Sequence, residues 1–352
     1  MELNPVSPTS PGSSPAERAA SASVPSAAVP SEAASPATGK TVRGLAVASL
    51  VANIAIVVTG GAVRLTASGL GCPEWPLCTP DSLTTTPEMG IHGIIEFGNR
   101  LLTFVLAAIA FAMVFSVWKA RAERRDLFRL SIVLLAGIPA QALLGGITVW
   151  TGLNPWIVGG HFVLSMILIV LATVLVNRAW LTPAQLATAN GPLATRTLRP
   201  LLGALGVLSA LAVVLGVVVT GSGPHAGDHG AARNGLDPDL MTRIHVVPVY
   251  LLVFALAVAL YLVFRHATDG RLRRSLLLLT AVVLVQGVIG YAQHFLHLPI
   301  VLVGLHMLGA SLLTAAAAHV VFTGFARRVP GSEPTAGALP AGSARPGAAA
   351  RR

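Results

Sequence analysis

Four polar side chains interrupt long apolar runs at matching places in this sequence. They are Asn99, His161, His245 and His306, and each follows the start of its run by about four to eight residues, on the order of 10 Å along a helix. Two imidazoles at one depth on parallel helices can approach a flat cofactor from opposite faces, and haem iron accepts such axial pairs. A histidine in a membrane helix can instead bond only to a neighbouring helix. Their recurrence favours iron ligation by His245 and His306.

A carboxylate accompanies the first of these positions. Glu96 precedes Asn99 by one helical turn, and His92 precedes Glu96 by another, so the three share one helix face. An acidic side chain inside a membrane span is a functional hypothesis by default, although pairing with Arg64 or Arg100 is the alternative. With Asn99 at this position, His161 is the only imidazole of the first-half layer. We therefore expect a reaction site in the first half and an electron-transfer haem in the second.

The composition indicates which class of protein must position these residues. Of 352 residues, 54% are hydrophobic and 11% are charged, which excludes soluble, fibrous and wholly disordered classes. The sequence predicts an all-α integral membrane protein. Its eight transmembrane helices are expected at about 43–63, 92–118, 128–149, 157–177, 200–221, 242–264, 274–293 and 299–325.

The net charge of +10 could suggest a nucleic-acid partner, but the basic residues cluster in alternate short loops. Lys119, Arg124, Arg178 and Arg273 are examples, whereas the loops after spans 3 and 7 carry no Lys or Arg. The positive-inside rule then places both termini in the cytoplasm and the first loop outside. We expect the protein to lie in the cell membrane. We expect no nucleic-acid partner.

An internal repeat divides the spans into two halves. QALLGGITVWTGLNPWIVGGH, from Gln141 to His161, matches QGVIGYAQHFLHLPIVLVGLH, from Gln286 to His306, and VVTGGAV resembles VVVTGSG. The copies are four spans apart and so point the same way, as two parallel-repeat four-helix bundles. The predicted organisation is a disordered cytoplasmic tail, an N-terminal bundle with the reaction site, a cytoplasmic linker, a C-terminal bundle with the electron-transfer haem site and a second disordered cytoplasmic tail, at 1–40, 41–180, 181–199, 200–326 and 327–352.

The two cysteines of the chain, Cys72 and Cys78, lie in the predicted outer loop within GCPEWPLC. Thiols outside the membrane oxidise, so we expect a disulfide. Its role is left open between a structural staple and a redox-active pair. The histidines of the later outer loops, such as His225 and His294, have spacings that fit a metal, but we expect them to bind none.

Several segments together resemble the heme A synthase family. They are GGAVRLTASGLGCPEWPLC, IIEFGNR around Glu96, GLNPWIVGGH ending at His161, the span of His245 and GLHMLGASLL at His306. The resemblance covers about residues 43–325 and implies two four-helix halves with one haem site each. It assigns haem b to His245 and His306, and the essential Glu and second His of the substrate site to Glu96 and His161. Asn99 stands where many members carry the first histidine.

The resemblance implies oxidation of the C8 methyl group of haem O to a formyl group, giving haem A for cytochrome oxidase, with water as the oxygen source. It also implies that the outer-loop cysteine pair is Cys72 and Cys78. We expect Glu96 to be the catalytic residue, and His161, Asn99, His92 and Arg100 to bind the substrate haem. Implied partners are haem O, a heme O synthase as its donor, an unknown electron acceptor, membrane lipids and a second copy of the chain. The alternatives are a membrane cytochrome b without substrate chemistry, or a transporter.

Overall fold

The computed structural model describes residues 39–182, 185, 190–192, 194–266, 269–325 and 327–328. The predicted tail over 1–40 falls outside this part of the chain except for Gly39 and Lys40, as does the second tail from residue 329. Parts of the predicted 181–199 linker also lie outside it.

Eight long α-helices form most of the described chain. They are α1 (Lys40–Leu65), α2 (Gly90–Trp118), α3 (Arg125–Trp150), α4 (Pro155–Ala179), α5 (Leu198–Ser222), α6 (Pro238–Arg265), α7 (Gly270–Phe295) and α8 (Ile300–Phe325). Each is long and apolar enough to cross a membrane. The prediction of an all-helical, multi-pass membrane protein with eight spans is therefore confirmed, and the predicted span ends lie within about four residues of the helix ends.

Local sequence signals determine where the histidine-bearing helices begin. Asn154 caps α4 by accepting a hydrogen bond from the backbone N–H of Trp156, and Asp237 caps α6 in the same way from Leu240. Pro155 and Pro238 occupy the first helical positions, where a missing N–H costs no hydrogen bond. These starts set how far along each helix a histidine stands.

One short pair of strands accompanies the helices. β1 (Asn190–Pro192) and β2 (Arg327–Arg328) run antiparallel, with Asn190 opposite Arg328. The sequence prediction assigned these residues to the linker and to the second tail. They lack the apolar alternation that marks a strand, so only their backbone pairing reveals them.

The two halves repeat the same helix contacts. In the first half α1 packs on α2 and α4, and α3 packs on α2 and α4; α5 to α8 show the same set of pairs. The halves meet through α1, α4, α5 and α8. This arrangement agrees with two four-helix bundles, which remain a prediction as domain boundaries.

The packed core of each half lies at the end away from the cysteine loop. In the first half it joins the start of α1 and the end of α2, for example Val42 and Val117, to Leu127 and Leu175. In the second half Leu202, Leu272 and Leu276 are among its fully buried members. The opposite end of the molecule, which we call the disulfide side, is hollow.

Candidate functional site

A large cavity occupies the disulfide side and is lined by both halves. Its volume is about 2030 Å³. Its wall includes Glu96, Asn99, Arg100, His161, His245 and His306, which the sequence analysis singled out as site residues. The structure therefore brings together the side chains that the repeat predicted at one depth.

The layer sits where the helix starts place it. His161 and His306 each lie six residues after the first residue of their helix, Pro155 and Ile300, and His245 lies seven residues after Pro238. At 1.5 Å per residue, these differences correspond to a spread of only about 2 Å along the three helices.

A glycine on the preceding helix faces each member of the layer. A Cβ added to Gly145 would stand 3.4 Å from Cε1 of His161, and one added to Gly290 would stand the same distance from Cε1 of His306. Gly216 approaches His245 at 3.2 Å, and Gly60 approaches the amide nitrogen of Asn99 at 3.9 Å. Small residues let the helices come close, so each polar side chain of the layer lies beside the backbone of a glycine.

This pairing corrects one detail of the repeat. The match of VVTGGAV with VVVTGSG aligns Gly60 with Gly221, but the glycine that faces His245 is Gly216. Gly221 packs instead near Asn234 and Pro155. In the structure, Gly60 of α1 therefore corresponds to Gly216 of α5, and not to Gly221 as the similar sequences indicate.

A glutamine supports the histidine of the last helix in each half. The side-chain amide of Gln141 donates to the carbonyl oxygen of His161 at 3.3 Å, and that of Gln286 donates to the carbonyl oxygen of His306 at 3.1 Å. Gln141 also donates to Ser165 at 2.6 Å. The glutamines of the repeat thus hold the backbone that carries each imidazole.

The imidazoles fit a haem ligand set. The rings of His161, His245 and His306 all line the cavity, so a group bound there can reach them. Imidazole nitrogen is a ligand that haem iron accepts.

Among the described residues, no group of three or more His, Cys, Asp or Glu side chains could hold a metal ion. A haem brings four nitrogen ligands in its own ring and needs only one or two from the protein. The paired histidines therefore suit a haem better than a bare metal ion, and the loop histidines form no such group.

Asn99 is engaged with its neighbour. Its Oδ1 accepts a hydrogen bond of 2.7 Å from the hydroxyl of Thr59 on α1. The first-half layer thus contains one imidazole, His161, opposite an amide that is tied to the adjacent helix. The two halves share a frame but differ in the chemistry they offer.

Glu96 is held by an ion pair and by a backbone group. Arg100 donates to its Oε1 from Nε at 3.1 Å and from Nη2 at 2.6 Å. The backbone N–H of Cys72 donates to its Oε2 at 2.7 Å. Glu96 is 6% exposed and lies in the cavity wall. Of the two arginines considered from sequence as its partner, Arg100 forms the pair.

Arg100 also fixes residues 72–78, which we call the disulfide loop. Its guanidinium donates to the carbonyl oxygens of Cys72, Glu74 and Leu77 at 3.0 to 3.1 Å. The bond between Cys72 and Cys78 closes this loop, which confirms the predicted disulfide. Both cysteines are fully buried.

The disulfide loop forms one wall of the first-half cavity through Trp75. Its indole lies against Gly146 on α3, where a Cβ would not fit, and packs edge-on against Trp150 at 5.3 Å between ring centroids. The indole nitrogen of Trp150 donates to the carbonyl oxygen of Trp75 at 3.2 Å. Trp75 and Pro76 both line the cavity.

His92 lies apart from these residues. Its side chain is exposed, its Nδ1 shares a hydrogen bond of 2.8 Å with the hydroxyl of Ser68, and it does not line the cavity. His92, Glu96 and Asn99 share one face of α2, as the spacing predicts. Of the three, only Glu96 and Asn99 line the cavity.

Arginines at the end of α1, in the loop before α6 and near the start of α6 line the cavity. They are Arg64, Arg233 and Arg243. Arg64 reaches from α1 into the second half, where its Nε donates to the carbonyl oxygen of His225 at 2.7 Å and its Nη2 to that of Thr220 at 2.9 Å. A cationic rim suits a ligand that carries carboxylates.

Comparison with known proteins agrees with this site. The family model for the COX15-CtaA cytochrome oxidase assembly protein matches residues 43–226, which is more than half of the chain. The chain belongs to the COX15-CtaA family.

Individual relatives point the same way. A heme A synthase of Listeria monocytogenes is 27% identical over 246 residues, covering 67% of this chain and 80% of the relative. Heme A synthases of Bacillus licheniformis and Bacillus pumilus are 29% and 34% identical over 36% of this chain. The chain spans only 42% and 40% of the length of those two relatives.

Several residues of this COX15-CtaA chain were not predicted as part of the site. The facing glycines carried a signal, because the repeat places a glycine four residues after each glutamine. The signal for Trp75 was the pair of adjacent glycines Gly145 and Gly146, because its indole packs against Gly146 where a Cβ would not fit. Arg233 and Arg243 carried none, since sequence spacing does not show that a loop and the start of α6 line the same cavity as the end of α1.

Proposed function

We propose that this chain is a heme A synthase that oxidises the C8 methyl group of haem O to a formyl group. The observation that supports it most directly is the placement of Glu96 and His161 in the wall of one cavity, which His245 and His306 of the second half also line. A membrane cytochrome b accounts for His245 and His306 but gives Glu96 no role. A transporter accounts for neither.

The reaction balances with water as the oxygen source. The methyl group and one water become a formyl group, four protons and four electrons, by way of the alcohol and the hydrated aldehyde. The protein must therefore position a methyl group, handle protons beside it and provide an exit for electrons.

Residues of the first half supply the first two of these. His161 would ligate the iron of haem O and so orient the ring. Glu96 presents the anionic group nearest to this histidine layer on α2, where it can accept a proton or stabilise positive charge that develops at the methyl carbon. Arg100 and the N–H of Cys72 hold that carboxylate in place, and Trp75 closes the wall against water.

Residues of the second half would hold the resident cofactor. His245 and His306 are the proposed axial ligands of haem b, with Gly216 and Gly290 making room for their rings. A haem b bound there supplies a one-electron carrier. The arginine rim of Arg64, Arg233 and Arg243 would pair with haem propionates.

The charge distribution supports an orientation for this enzyme. The basic loops lie at the end of the molecule opposite the disulfide side, so the proposed arrangement has both termini in the cytoplasm and the cavity toward the outer surface of the cell membrane. A disulfide fits that outer, oxidising side.

Expression in a bacterial strain that makes haem O but lacks this activity tests the proposal. Extracted haems should include haem A with the wild-type chain. With Glu96→Gln, haem O should accumulate and haem A should fall on the order of a hundredfold. Glu88→Gln is the matched control, because Glu88 is exposed in the turn before α2. An unchanged b-type absorption spectrum in the Glu96 variant would show that the chain has folded; normal haem A in that variant contradicts the assignment.

A further inference from the structure

Two tyrosines form a polar site at the lipid-facing edge of the second half. The hydroxyl oxygens of Tyr250 on α6 and Tyr291 on α7 lie 2.7 Å apart. Their residues are 59% and 53% exposed, although both also line the cavity. The pair therefore stands where the cavity opens toward the membrane between α6 and α7.

This opening leads directly to the histidine layer. Tyr291 follows Gly290, the glycine that lies against His306. Tyr250 lies five residues after His245, which is about one and a half turns along α6. A ligand at the tyrosine pair would thus sit beside the residues proposed to hold haem b.

The hydrogen bonds of the pair are incomplete. Two hydroxyls carry two O–H donors, and their mutual bond uses one of them. No other described residue bonds to either hydroxyl. One O–H is left at the edge of the hydrocarbon, where an unsatisfied donor is costly. A ligand with a carbonyl oxygen would satisfy it.

The surface around the pair is apolar. Val247 and Phe254 on α6 and Val288 on α7 are 56%, 69% and 71% exposed. The ring of Phe295 stacks on that of Tyr291, with planes 15° apart and centroids 6.3 Å apart. The site therefore combines one polar anchor with aromatic and aliphatic surface suited to a planar head group and a long apolar tail.

The first half has no such pair. Phe104 takes the place of Tyr250, five residues after Asn99, and Gly146 takes the place of Tyr291, directly after Gly145. Trp75 covers Gly146. Since the repeated fold forms without these hydroxyls, packing of the bundle does not require them.

We propose that Tyr250 and Tyr291 bind the head group of a membrane quinone, with a tyrosine O–H donating to a quinone carbonyl. The proposal rests on the proposed function for the source of electrons, and it assigns a chemical class to the acceptor. Each two-electron oxidation of the methyl group releases two electrons and two protons, and a quinone that takes up both becomes a quinol. Two quinones are consumed for each formyl group.

Quinone binding can be measured without haem O. The purified chain in lipid nanodiscs is titrated with decylubiquinone by calorimetry, and saturable binding is expected for the wild type. Tyr250→Phe combined with Tyr291→Phe should weaken binding about tenfold, as expected for one lost hydrogen bond. Tyr261→Phe is the control, because Tyr261 is the one tyrosine of the chain outside the pair and is 62% exposed on α6. The affinity of this variant for decylubiquinone should equal that of the wild type.

The outcomes separate the two proposals. Equal affinity of the wild type and the double variant overturns the quinone site, as does equal displacement of decylubiquinone by decanol, which has only the tail. Single Tyr291→Phe serves if the double variant does not fold. If the wild-type chain binds decylubiquinone but makes no haem A in cells, the quinone site stands and the proposed function fails.

Discussion

Glu96 and Arg100 lie one turn apart on α2, and their 2.6 Å ion pair is also the attachment point of the disulfide loop. One guanidinium bonds both to the carboxylate in the cavity wall and to three carbonyl oxygens of the loop. The position of the proposed catalytic group and the closure of the cavity are thus coupled through a single side chain.

Replacing this guanidinium should therefore disturb both. A lysine keeps the charge but lacks the planar fork that reaches several oxygens at once. We expect Arg100→Lys to lower the yield of haem A at least tenfold and to expose the disulfide loop to proteolysis. Haem analysis of cells and limited proteolysis of purified protein measure the two effects.

Arg121→Lys is the control for that experiment. Arg121 is exposed after α2 and contacts Trp118 by its side chain, away from the cavity. If Arg100→Lys leaves both haem A and the proteolysis pattern unchanged, Arg100 does not position Glu96.

The disulfide itself contributes less directly. Cys72 binds Glu96 through its backbone N–H, and Arg100 binds backbone carbonyls, so these bonds do not require sulfur. Both sulfurs are buried, whereas a thiol that exchanges electrons must be reached by its partner. The geometry favours a structural staple over a redox-active pair.

Replacing both cysteines by serine tests this interpretation. We expect Cys72→Ser with Cys78→Ser to keep haem A synthesis within about tenfold of wild type, with a lower melting temperature from the freed loop. Haem analysis and thermal unfolding in detergent are the measurements. Complete loss of haem A in a folded double variant would support a redox role instead.

Sequence reasoning predicted the helices and the histidine layer because both depend on local patterns. Apolar length defines the spans, and the Gln-to-His spacing recurs in two copies. It did not predict that His92 lies outside the cavity, since a shared helix face does not reveal how far along the helix the cavity extends. It also could not choose between Arg64 and Arg100 as the partner of Glu96, because Arg64 turns toward the second half only through contacts with Thr220 and His225.

Variants of His161 and His306 should show which half binds which haem. Removal of His306 takes away one proposed axial ligand of haem b, so His306→Ala should lose most of the b-type absorption of the purified protein. His161→Ala should keep that absorption and lose haem A synthesis. Optical spectra of the reduced protein and haem extraction report these two results separately.

His319→Ala is the matched control on α8. Its Nδ1 is bonded to Asn177 at 2.7 Å, away from the cavity wall. A b-type spectrum that survives in His306→Ala, or disappears equally in His161→Ala, contradicts the assignment of one haem to each half.

The facing glycines offer the finest test of the layer, because a glycine that faces a histidine can be compared with one that lies outside the cavity. An added methyl group at Gly290 would stand 3.4 Å from the His306 ring, while one at Gly203 on α5, which does not line the cavity, meets nothing within 4 Å. Alanine favours a helix over glycine by about 1 kcal/mol, so Gly203→Ala should be neutral or stabilising. Gly290→Ala should push the imidazole by a few tenths of an ångström and lower haem b occupancy severalfold. Haem-to-protein ratios and electron paramagnetic resonance of the ferric haem measure this. Equal ratios and spectra for the two variants would show that close packing of this glycine does not set the geometry of His306.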